Sequence, residues 1–250
     1  MSFSRDFRSS PFATGNQSAA VDAGLRTYML RVYNWMASGL LLTALVAYVI
    51  AETPARDVFF HQQTLAPTGL GWLAMISPLG FVMVMSFGVN RLSRSAVQAL
   101  FWLFCAVMGA SMSSILLAYT DVSVARVFLV TAGTFAATSL WGYTTGANLM
   151  RFQSFLMMGL FGLVIAGLVN MFIGSSAVYF IYSVVGVFLF IGLTAFDTQR
   201  IKLTYSQVAH YEGPEGAAKR SVYEALSLYL NFINLFQFLL QFMGTRSNND

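Results

Sequence analysis

The chain has 250 residues, 57% of them hydrophobic and only 10% charged, whereas soluble domains carry roughly 25% charged residues. A water-facing surface of ordinary composition is therefore excluded, and most of the surface must face lipid. The fourteen Lys and Arg leave a formal charge of +4 but form no basic stripe, which argues against nucleic acid as a partner, and the single Cys105 excludes an intramolecular disulfide.

Residues 1–18 contain Ser and Arg but little apolar content beyond Phe3, Phe7 and Phe12, so they are predicted to be a disordered tail. They hold no continuous apolar core, so no cleavable signal peptide is expected and the first span serves as an uncleaved insertion signal. Val21, Leu25, Tyr28 and Val32 fall on one helical face, which predicts an amphipathic helix over 19–33 lying at the interface. A span needs about 20 predominantly apolar residues. Seven segments satisfy this: 34–51, 69–89, 97–119, 124–142, 152–173, 177–196 and 222–243. Glu52, Pro54, Arg56 and Asp57 end the first, Pro67 precedes the second, and Arg91 and Arg94 end it. Asp121 and Gly174-Ser175-Ser176 mark tight turns. Residues 200–220, with Gly213-Pro214, read as the longest late loop. The apolar runs are continuous rather than alternating, which excludes a lipid-facing barrel. The fold class is thus all-α: a polytopic membrane protein with a domain over 19–244 and a short tail over 245–250.

Lys and Arg set the orientation. With the N-terminus in the cytoplasm, the inner segments hold eleven of the fourteen: Arg5, Arg8, Arg26, Arg31, Arg91, Arg94, Arg151, Arg200, Lys202, Lys219 and Arg220. The outer segments hold Arg56, Arg126 and Arg246. This bias predicts a cytoplasmic N-terminus and a C-terminus on the far side. Small residues in the fifth span (Gly159, Gly162, Ala166, Gly167) and the fourth (Gly133, Ala137) are expected to let backbones approach. Thr131, Thr134 and Thr138 share one face of the fourth span, either bonding back to their own helix or walling a polar cavity.

Two stretches carry candidate chemistry. Asp197 ends an apolar run about one turn from the inner interface, where it either pairs locally with Arg200 or Lys202 or serves an intramembrane site. In the seventh span Glu224, Ser227, Asn231, Asn234, Gln237 and Gln241 fall within about 140° at 100° per residue. Lipid would leave those groups unpartnered, so this helix is expected inside the bundle, its stripe lining a shared cavity or a hydrogen-bonded seam. His61 and His210, the only histidines, are expected in loops on opposite sides of the membrane, which removes a His-based metal site or Ser–His dyad. GxSxG, HExxH and CxxC are absent, and a carboxylate-pair protease needs two acids at depth where only Asp197 qualifies. No enzyme and no cofactor is expected.

The run Gly192-Leu193-Thr194-Ala195-Phe196-Asp197-Thr198-Gln199-Arg200 resembles the sixth-span motif of the Bax-inhibitor-motif membrane proteins. Leu228-Tyr229-Leu230-Asn231-Phe232-Ile233-Asn234-Leu235-Phe236 resembles their seventh-span motif. Residues 25–40, 143–149, 155–172 and Ser77-Pro78-Leu79 extend the likeness over about 23–244, closest to the bacterial inner-membrane branch. The resemblance implies a seventh helix enclosed by the other six and a pH-sensitive calcium leak gated by two aspartates that share a proton, since neighbouring carboxylates do not both ionise cheaply. This chain matches the first aspartate at Asp197, a candidate calcium ligand, but has Asn231 at the second position. Weaker or shifted pH gating is therefore expected, with Asp197, Asn231, Glu224, Asn234 and Arg200 along the ion pathway. Calcium is then the transported ion and the protein a monomer in the inner membrane. The alternative is a non-transporting regulator whose N-terminal segment binds a membrane protease or other membrane proteins.

Overall fold

The computed structural model describes residues 11–62, 64, 66–88, 91–211 and 213–247, with side chains described from Asp22 to Tyr205 and from Gly213 onward. The chain runs α1 (Pro11–Glu52), a short α2 (Arg56–Phe59), α3 (Gly69–Gly88), α4 (Arg94–Ala118), α5 (Asp121–Thr144), a 3-10 turn (Leu149–Phe152), α6 (Gln153–Ile173), α7 (Ser176–Tyr211) and α8 (Gly213–Met243). Seven of these helices are long and apolar enough to cross a membrane. Among the described residues there is no strand, only the isolated bridges Phe60–Pro67 and Tyr119–Arg246.

The seventh span, α8, is the axis of the bundle. In its apolar stretch 61% of residues are buried, against 11–39% in the other six spans. It packs chiefly on four helices, α1, α4, α5 and α7, while α3 lies outside on α4 and α6 outside on α7. The enclosure is thus narrower than the six-helix ring expected. In lipid, helices associate through close packing and hydrogen bonds rather than through water exclusion. The α8 rings supply much of that packing: Tyr229 stands edge-on to Phe104, Phe232 to Phe135, and Phe190 stacks on Phe238.

Three sequence expectations are corrected at helix ends. Residues 200–220 are not a loop, because α7 continues to Tyr211 and α8 starts at Gly213, whose positive φ of 64° makes the break. The helix continues because Ile201, fully buried, and Tyr205 one turn later have partners, Tyr205 packing its ring on Tyr28 of α1. His210 accordingly lies in the last turn of α7, while His61 is in the connection between α2 and α3. The amphipathic segment 19–33 is not a separate helix either; it is part of one continuous α1, and Tyr28, Met29 and Val32 are buried against the bundle.

Of the expected tail, residues 1–10 lie outside the described residues, and the backbone is helical from Pro11, a residue suited to a first helical position. The C-terminal segment is tied down as far as Ser247: Thr120 donates to the Thr245 carbonyl, Thr245 to Ser123 Oγ and Ser247 to the Ala118 carbonyl. Residues 248–250 lie outside the described residues. The turn at Gly174 is as read, with a left-handed φ of 66° closing α6.

The close approaches fall partly on the expected glycines. A Cβ at Gly159 or Gly167 would press on Leu189 or Tyr182 of α7, whereas one at Gly133 or Gly162 would meet nothing, and Ala137 is exposed. The tight crossings are Gly142, where a Cβ would lie 2.4 Å from the Ala195 carbonyl oxygen of α7, and Gly109, 2.7 Å from the Thr43 carbonyl oxygen of α1. Thr131 and Thr138 bond back to Val127 and Thr134, as helical threonines commonly do. Gly142→Ala and Gly109→Ala are each expected to destabilise by about 1–3 kcal/mol in thermal unfolding in detergent, while Gly133→Ala leaves the midpoint unchanged. Equal midpoints for all three would contradict this packing.

Candidate functional site

Successive residues of a helix point about 100° apart, so the run Asp197-Thr198-Gln199-Arg200 addresses several neighbours from one turn of α7. Asp197 faces α8 and is 6% exposed. Its Oδ2 accepts hydrogen bonds from Asn231 Nδ2 at 2.7 Å and Ser227 Oγ at 2.8 Å. Thr198 and Ser139 of α5 bond hydroxyl to hydroxyl at 2.9 Å, and Ser139 in turn bonds the Tyr33 hydroxyl of α1. Gln199 fastens the α5–α6 connection: its Oε1 accepts from the Leu149 amide and its Nε2 donates to the Ala147 carbonyl, both at 2.7 Å. Those two bonds set the turn of α7 that carries Asp197 level with the α5–α6 connection. Lys202 turns to α5, donating to the Tyr143 carbonyl at 2.8 Å.

Arg200 closes the site. Its Nη2 lies 3.1 Å from Asp197 Oδ1 and donates to Glu224 Oε2 at 2.9 Å, with Ser227 Oγ at 3.4 Å. The Asp197 and Glu224 side chains are 8% and 10% exposed, whereas that of Arg200 is 39% exposed. Two carboxylates therefore share one guanidinium that reaches them from the basic end. Burying charge is tolerable only with pairing and further hydrogen bonds. Asn231 and Ser227 supply those bonds without adding charge, on the oxygen of Asp197 that the arginine does not face.

The remaining amides of the stripe do not join this cluster. Asn234 Nδ2 donates to the Leu230 carbonyl of its own helix, Gln237 meets the Met112 sulfur of α4 at 4.0 Å, and Gln241 accepts from Ser183 of α7. The stripe is a series of separately satisfied contacts, with α7, with α4 and, for Asn234, with its own helix, rather than the wall of one shared cavity, and its N-terminal half, Glu224, Ser227 and Asn231, builds the site. Ser227 stood on the stripe but was not singled out in the sequence; its spacing between Glu224 and Asn231 was the available signal. A second polar contact on the other side of α8, Tyr229 hydroxyl to Thr43 Oγ1 at 2.6 Å, had no sequence signal because both residues lie in apolar runs.

Among the described residues no group of three or more His, Cys, Asp or Glu comes together to hold a metal. Asp197 and Glu224 are brought together, but the cation between them is Arg200. Asp197 is therefore no part of a ready-made calcium cage, for which six to eight oxygens are usual; a cation would have to take the place of the guanidinium.

The chain is also similar in sequence to known proteins. The family described as inhibitor of apoptosis-promoting Bax1 matches residues 25–248. A protein of Caulobacter vibrioides is 44% identical over 229 residues, covering 90% of this chain and 91% of the relative. One of Rickettsia prowazekii is 41% identical over 234 residues, covering 93% and 95%. The inner membrane protein YbhL of Escherichia coli K12 is 42% identical over 224 residues, covering 90% of this chain and 94% of its own.

If Asn231 holds the Asp197 carboxylate while Asn234 only back-bonds, their replacements must differ. Asn231→Leu is expected to lower stability by about 1–2 kcal/mol, and Asn234→Leu by less than about 0.5 kcal/mol, in denaturant unfolding of the detergent-solubilised protein. Equal losses would contradict the assignment of the two amides.

Proposed function

Because this chain belongs to the Bax inhibitor family of membrane proteins, we propose that it is a cation leak, with calcium as the transported ion, in which the Asp197 carboxylate is the ion-site group and Arg200 the plug. The observation that carries this reading is the single guanidinium shared by two nearly buried carboxylates at the basic end of the bundle. A positive bias of this kind marks the cytoplasmic side, so the N-terminus is cytoplasmic and the C-terminus lies across the membrane, as suits an inner-membrane protein.

The chemistry follows from what stands around Asp197. In the closed arrangement Arg200 neutralises the site and repels an approaching cation. When the half-buried guanidinium swings toward water, Asp197 and Glu224 offer hard carboxylate oxygens, and Ser227 and Asn231 offer neutral ones, the donor type that calcium prefers. Protonation of either carboxylate weakens its hold on Arg200 and on a cation alike, so acidity acts on both the plug and the site. Asn231 cannot titrate. Its amide fixes Asp197 in place without adding a third carboxylate beside Asp197 and Glu224, and the pH response is shallower than an aspartate there would give.

Calcium flux into liposomes reconstituted with the full chain, read across pH, tests this. Asp197→Asn is expected to lower the flux about tenfold, the equivalent of about 1.4 kcal/mol of lost cation stabilisation. Asn231→Asp is expected to steepen its pH dependence. An Asp197→Asn flux equal to the wild type would refute the reading. So would a wild type already steeply gated and unaltered by Asn231→Asp.

A further inference from the structure

Helices α1 and α5 both pack on α8, yet they hardly pack on one another and meet chiefly where Tyr33 bonds Ser139. The seam between them is open to the surroundings and floored by α8. It holds two cavities in line, one of about 580 Å³ running from Arg26 and Tyr143 to Ala37 and Ala132, and one of about 300 Å³ continuing from Leu40 and Phe128 to Tyr48, with Phe232 of α8 lining both.

We propose that the larger cavity is a binding site for an anionic phospholipid, one acyl chain lying in the seam and the phosphate held by Arg26. Length, lining and charge each support this occupant. From Arg26 to Ala37 the cavity follows eleven residues of helix, about 16 Å. That is close to half of the roughly 30 Å hydrocarbon core, the depth of one leaflet. Its walls are apolar (Met29, Leu30, Met36 and Phe135 among them), and the hydroxyls of Tyr33 and Ser139 are already engaged with each other. A lipid tail fits such a wall, whereas a polar ligand would find few partners.

Charge gathers at one mouth only. Arg26 is exposed there and, among the described residues, makes no ion pair. Its nearest acid along α1 is the exposed Asp22. The Lys202 ammonium, which donates to the Tyr143 carbonyl, stands 5.0 Å from the centre of the Tyr143 ring, and that ring lines the same cavity. Two cations at the basic end, above an apolar slot, are what the headgroup and tail of an anionic lipid require, and basic pockets between spans on that side are known to take such headgroups. A lipid seated there would touch Tyr33 and Ser139 and so border, through Thr198, the turn of α7 that carries Asp197. The binding site itself does not depend on the cation-leak reading.

The test uses the full chain in phosphatidylcholine bilayers containing a trace of spin-labelled phosphatidylglycerol or spin-labelled phosphatidylcholine, with the motionally restricted fraction read by electron paramagnetic resonance. The wild type is expected to restrict phosphatidylglycerol preferentially. Arg26→Gln should reduce that preference about fivefold, the worth of about 1 kcal/mol per basic residue near the surface. Ala136→Trp, at an exposed position that lines the slot, should reduce the number of restricted lipids of both kinds. Arg91→Gln, exposed at the same end but away from the seam, should change neither. Both test positions are exposed, so the fold should survive substitution, and circular dichroism checks it. No preference in the wild type, equal losses for Arg26→Gln and Arg91→Gln, or an unchanged count in Ala136→Trp would each overturn the proposal.

Discussion

One guanidinium between two carboxylates is the constraint around which the rest of the site is arranged. Asp197 comes from the sixth span and Glu224 from the seventh, and Arg200 reaches both from within one turn of Asp197. Each carboxylate alone would be costly away from water, and the pair would repel. The arginine makes the junction of the two helices tolerable, and the hydroxyl of Ser227 and amide of Asn231 complete the satisfaction of Asp197. The cluster is both a structural fastening and a point of weakness, because its one cation is its most exposed member.

The bundle is organised to present that fastening. Placing α8 at the axis lets its acid, hydroxyl and amide face α7 while its rings pack on α4, α5 and the far half of α7. Gln199 and Lys202 tie the same turn of α7 to the ends of α5 and α6, so Asp197 is held from three sides. The extension of α7 to Tyr211 adds a lever of helix beyond the site, packed through Tyr205 on α1.

The spans were legible in the sequence because twenty apolar residues have no other stable place, and the inward face of α8 was legible because amides at helical spacing cannot face lipid. The pairing of Asp197 with Asn231 was also within reach, from the two motifs and the helical register. The continuation of α7 was not. Residues 200–211 are polar enough to read as loop, and the partners of Ile201 and Tyr205 on other helices explain why they stay helical. Some of the glycines were misjudged for a related reason: a small residue announces that close approach is permitted, but which face of the helix meets a neighbour depends on packing. Gly142 and Gly109 meet backbone, whereas Gly133 meets nothing. Asn234 lay on the right face and still took no part, since an amide can satisfy itself on its own helix.

The claim that a fixed positive charge at position 200 holds the pathway closed is open to a direct measurement. In a Cys105→Ser background, Arg200→Cys should raise calcium flux into liposomes, and a thiol-reactive reagent that attaches a trimethylammonium group should lower it again. A neutral reagent of similar size should leave it high. If the charged and neutral adducts behave alike, the charge of Arg200 is not the plug, and the cluster is only a fastening between two helices.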